Sequence, residues 1–145
     1  MHVLKAYQRC GVVLLAVLVA FTACTVYQEW ESSSRTESIR NDLFQYQNIF
    51  EDTFRLFSLG SYHKISRENY DKNNASLIFL FEELNYKEIY SDFHGNIFFN
   101  KFEEGINFRG LVYLRNSSYV VGFIKTKSIV LDDEGKWIAH YSHGL

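Results

Sequence analysis

The residues that could do chemistry lie mostly in the second half of the chain. His140 and His143 form an H-x-x-H near the carboxy terminus, and His63 and His94 are the other histidines beyond the first few residues. On a strand, residues three apart point to opposite faces, so shared ligation by His140 and His143 requires the chain end to curl. No cysteine or close acidic cluster completes a tetrahedral set, so no metal site is expected. Asp132, Asp133 and Glu134 are adjacent carboxylates ahead of Gly135. A calcium loop needs spaced oxygen ligands, so these read as a solvated turn, as do Glu103 and Glu104 before Gly105. Asp92 and His94 fall at an expected hairpin tip, where polar residues belong. No G-x-S-x-G elbow and no glycine-rich phosphate loop occurs. Paired carboxylates that meet only in the fold leave an enzyme of the glycoside-hydrolysing kind as a minor reading. No catalytic residue and no cofactor is assigned.

The cysteines are Cys10 and Cys24, and both lie in the amino-terminal segment. "MHVLKAYQR" carries Lys5 and Arg9 without an acid, "CGVVLLAVLVAFTAC" is uncharged, and "TVYQEWESSS" is polar. A basic head, an apolar core and small residues at its end describe an export signal. Residues 10–27, about 18, are also long enough for a marginal membrane span. Both readings keep the basic end in the cytoplasm and send the rest across the membrane.

"AFTAC" resembles the lipobox of bacterial lipoproteins, in which small residues precede a cysteine that becomes the acylated first residue. Ala23 and Thr22 fit the pattern, and Phe21 stands where the family usually has Leu. The resemblance covers about the first 24 residues and implies a signal peptide over 1–23 with lipidation of Cys24. It also implies that Thr25, in place of Asp, favours the outer membrane facing the periplasm. Cleavage before Cys24 would leave one thiol in an exported chain, and a thioether to lipid protects it from oxidation. The alternative is an uncleaved anchor to about residue 27, in a single-pass or pilin-like subunit of an envelope assembly. "QRCGVVLLAVLVA" is loosely similar to a pilin leader but lacks the glutamate usual in that helix.

The full chain of 145 residues has a net charge of −2. Removing residues 1–23 takes away Lys5 and Arg9, leaving 13 basic residues against 17 acidic ones, a net −4. The remaining basic residues form no run or stripe, which argues against nucleic acid as a partner. The partners expected are the membrane and an envelope protein. Aromatic residues make up 17% of the chain, which points to a small aromatic core, with a docking surface as the alternative. There is no proline, so turns fall to Gly, Asn, Asp and Ser.

The elements expected to position these residues form one α+β domain over 36–145, after a polar tether over 24–35. Ile39, Leu43, Tyr46, Phe50, Phe54 and Phe57 recur at helical spacing, predicting a long amphipathic helix over 36–59 that starts at Ser34 or Thr36 and stops at Gly60. Asp42 falls on or beside the polar side. "NNASLIFLFEELN" reads as a shorter helix capped by Asn73 or Asn74, with a buried strand as the other reading of "LIFLF". "SYHKISRENYDKNN" reads as a loop or a short turn of helix. Beyond it the period changes to two. Hairpins are expected around "FHG", "NSS" and "DDEG", giving an antiparallel meander of about five strands with the helices on one face, in two layers. Gly110 and Gly122 fall inside the second hairpin, where they permit a bulge or make room for a ring, with a ligand groove as the alternative.

Overall fold

The computed structural model describes residues 2–60, 62–104, 107–115 and 126–142. They fall into two units, Met1–Arg35 and Thr36–Leu145. Helix α1 spans His2–Ser58. No Gly or Pro occurs between Gly11 and Gly60, so nothing in the backbone chemistry stops it earlier. Residues 24–35 are therefore helical, where an irregular tether and a start at Ser34 or Thr36 were expected. The Glu31–Arg35 ion pair, one turn apart, supports that stretch. Within the first unit, Val12–Val19 and Phe21 are exposed along a segment long and apolar enough to cross a membrane.

In the second unit the expected stripe is the buried side of α1. Ile39, Leu43, Phe50 and Phe57 are in the core, and Tyr46 and Phe54 pack against it. Helical geometry breaks at Tyr46 (φ −130°, ψ 32°), where its ring lies 4.9 Å from that of Phe79. Gly60, at φ 73°, supplies the left-handed residue that ends the helix. The second helix is real but short. Asn74 caps α2 (Ala75–Ile78) by accepting from Leu77 N, and a π-helical turn over Phe79–Glu83 follows. Leu77, Leu80 and Phe81 are buried, and Asn85 at φ 59° ends the segment.

Six strands make one antiparallel sheet: β1 (Lys64–Ser66), β2 (Glu88–Ser91), β3 (Ile97–Glu104), β4 (Asn107–Tyr113), β5 (Thr126–Val130) and β6 (Trp137–Ser142), in the order β1-β2-β3-β4-β6-β5. The α+β class and the antiparallel sheet agree with the sequence pattern. Two details differ. The segment expected as a loop contributes edge strand β1, with Ile65 in the core. At the other edge β4 pairs with β6, and β5 takes the outside position. Trp137 and Ala139 of β6 lie opposite Tyr113 and Leu111 and belong to the core, whereas Ile129 and Val130 of β5 are exposed. The strand with more to bury takes the inner place. The "NSS" turn and Gly122 lie outside the described residues.

Alternation sorts the sheet residues onto two faces. Ile89, Phe99, Leu111 and Ala139 join the core with α1. On the opposite face Phe98, Val112 and Leu114 form a second buried cluster with Tyr90 and Ile138 against it, and the Tyr90 and Phe98 rings stack at 4.8 Å.

The β3–β4 register shifts between Asn100 and Phe102. This bulge lets consecutive residues Lys101 and Phe102 both reach the helix side. Gly110 is what permits the close pairing there, because a Cβ on it would sit 1.8 Å from the Phe99 carbonyl oxygen. Gly110→Ala must move backbone and should cost about 3 kcal/mol. Gly135→Ala has open space around it but a φ of 68°, and should cost about 1 kcal/mol. Urea unfolding of the two variants checks the ranking.

Candidate functional site

Among the described residues, a concave feature lies at the β2–β3 turn. Asp92 organises it: Oδ1 accepts from His94 N at 2.9 Å and Asn96 N at 2.8 Å, and Oδ2 accepts from Asn96 Nδ2 at 3.0 Å. Gly95 N donates to Asp92 O while Gly95 takes a φ of 80°. Asn96 is fully buried, and its Oδ1 accepts from Arg115 N at 3.1 Å. One buried amide thus ties the hairpin tip to the residues just after β4. A cavity of about 590 Å³ opens here, lined by Phe57, His63, Phe93, His94, Ile97 and Arg115 among others. Phe57 and Ile97 are buried and form apolar wall, whereas Phe93 is 91% exposed. Phe93 and His94 have ring centroids 4.0 Å apart. Asp92 uses both oxygens in the turn, and Ser58, His63, Ser91, His94 and Arg115 supply the other polar side chains of the lining.

A second polar group is buried between α1 and the sheet. Lys101 Nζ donates to Asp42 Oδ2 at 2.6 Å and to Ser38 Oγ at 3.2 Å, and Tyr86 OH donates to the same Asp42 oxygen at 3.2 Å. The ammonium also sits 5.5 Å from the Tyr86 ring centroid. Burial, reinforced by the Asp42 charge, raises the Tyr86 phenol well above its ordinary value. Lysine beside serine can mark a nucleophile and its base. Here the ammonium is a donor to the hydroxyl and is held by a carboxylate, which is the reverse of what a general base needs. The pair fixes the helix on the sheet. Removing one partner of such a buried pair costs about 3–5 kcal/mol.

The residues singled out in sequence are scattered. His140 is buried on the outer face of the sheet, edge-to-face with Phe98 at 5.8 Å. His143 lies outside the described residues, so the H-x-x-H is not assembled among them. Asp132 Oδ1 accepts from Trp137 N at 2.8 Å, and Glu134 pairs with Lys136, so the acidic run works as a turn. Glu103 is an exposed strand residue. Among the described residues no group of three or more His, Cys, Asp or Glu could hold a metal ion. Cys24 is a free, exposed thiol on α1. Of the residues noticed in sequence, the fold brings Asp92, His94 and His63 to one place, and it adds Asn96 and Arg115. Arg115 is 19 positions from Asn96 and gives no sequence signal. Asp42, read as lying towards the polar side, is buried at 9% exposure because Lys101, 59 positions away, needs it.

Compared with known proteins, the chain matches no family model, no curated protein and no solved structure.

Burial holds His140 neutral, lowering it from 6.5 to about 4. Between those values the unfolded chain takes up a proton that the folded chain refuses. The contribution is therefore complete above pH 6.5 and declines as pH falls towards 4. Taking the protein from pH 7 to pH 5 should cost about 2 kcal/mol through this group. His140→Leu should lose correspondingly less over the same interval, as followed by urea unfolding at each pH.

Proposed function

We propose that this chain is a small envelope lipoprotein whose folded domain is a non-catalytic binding module. In this reading residues 1–23 are an export signal removed before Cys24, and acyl chains on Cys24 hold the mature protein at the membrane, with the outer membrane facing the periplasm as the destination. The observation that carries it is the order of the first 30 residues: Lys5 and Arg9, an uncharged apolar run, then Ala23-Cys24 followed by polar chain. The exposed Cys24 thiol is consistent with modification, and acylation supplies the strong anchoring that a single weak signal does not. Binding rather than catalysis is supported by the Lys101 geometry, which directs the buried ammonium to a carboxylate, and by a cavity whose carboxylate is engaged in its own turn. An envelope protein is the expected macromolecular partner.

A second reading has its own support. Helix α1 continues past Cys24 as far as Ser58, as a pilin-like subunit would require and an uncleaved single-pass anchor would allow. Cys24→Ala separates the two. In a lipoprotein the substitution should leave the precursor at full length and abolish incorporation of labelled palmitate. Unchanged mobility, with no label in either protein, would favour the single-pass anchor.

A further inference from the structure

The cavity at the β2–β3 tip has a composition that selects a ligand, and this goes beyond the anchor and the general binding role. We propose that it is a site for a small organic anion, a carboxylate or phosphate group carried on an apolar ring.

The argument begins with charge. Arg115 lines the cavity, and among the described residues its guanidinium has no hydrogen-bond or ion-pair partner. Its main chain is fixed through the bond from Arg115 N to the buried Asn96 side chain. Its side chain lies over Gly95: a Cβ on that glycine would fall 3.1 Å from Arg115 Cδ and 3.4 Å from Nη1. Glycine at this position therefore both makes the turn and leaves the arginine its place. Asp92, the one carboxylate in the lining, accepts from His94 N, Asn96 N and Asn96 Nδ2, and it makes no ion pair with the Arg115 guanidinium. His63, also in the lining, adds an imidazole able to donate an N–H. A planar five-donor fork and an imidazole in one lining suit an oxyanion.

The remaining wall sets the rest of the ligand. Phe57 and Ile97 offer apolar floor, and Phe93 stands almost fully in solvent at 91% exposure, beside His94. A hairpin tip needs polar residues, not a solvated phenyl ring. A ring on the ligand would give Phe93 a stacking partner. The cavity, about 590 Å³, falls in the size range of small-molecule sites.

The test is an amide NMR titration of the full-length protein in a neutral detergent, with phenyl phosphate, benzoate and the uncharged phenyl glucoside as probes. At least one of the two anions should shift the Gly95 and Arg115 amides saturably, and the tighter of them tells phosphate from carboxylate. Phenyl glucoside should bind at least about tenfold more weakly, and Arg115→Gln should weaken the anion by about tenfold or more while distant amides keep their positions. His63→Gln, tested in parallel, should weaken it by a smaller factor. Absence of saturation with both anions, equal binding of phenyl glucoside, or native affinity in Arg115→Gln would each overturn the proposal. The titration does not depend on the state of Cys24, so its failure and that of the lipoprotein reading are separately visible.

Discussion

The folded domain depends on the burial of one ring. Phe50, fully buried on α1, meets Tyr86, Phe99 and Trp137 edge-on at centroid distances of 5.6, 5.3 and 5.9 Å. These partners come from the segment after the short helix, from the middle of β3 and from the start of the last strand. Burying a side chain of this size contributes about 2–3 kcal/mol, and edge-to-face pairs add to it. For all three rings to meet one helical residue, β6 must lie inside the sheet next to β4, and the chain after the π-helical turn must pass close to α1. Sheet order and helix placement are thus one constraint seen from two sides.

The polar features follow from the same arrangement. Once α1 packs on β3, alternation from Phe99 puts Lys101 on the helix side beside Asp42, and Tyr86 reaches that carboxylate with its hydroxyl while its ring packs against Phe50. The aromatic core and the buried ion pair therefore share a residue, and each restrains the other. The cavity is built differently. It relies on a local turn, Asp92 to Asn96, and on one longer link to Arg115. Its polar side chains are carried by a turn held by several hydrogen bonds, as suits a largely pre-formed site.

Much of the architecture was legible in the sequence because it is periodic. The stripe from Ile39 to Phe57, the cap at Asn74, the stop at Gly60 and the alternation from Glu88 onward all follow from local rules. Three features were not. The helix through residues 24–35 runs over serines that resemble a cap, since local cap chemistry loses where no Gly or Pro interrupts the chain. The exchange of β5 and β6 is decided by which strand carries core residues, and hairpin patterns carry no information about that. The candidate site was half visible. Asp92 and His94 announce a turn, but Arg115 joins them only through the tertiary bond to Asn96, and Lys101 finds Asp42 only across the fold.

In the proposed function, acyl chains on Cys24 hold this domain at a membrane. The most direct measurement is the intact mass of the protein extracted from membranes. The account predicts a chain that begins at Cys24 and is heavier than residues 24–145 by the mass of its acyl groups. A full-length chain with an unmodified Cys24 would contradict it.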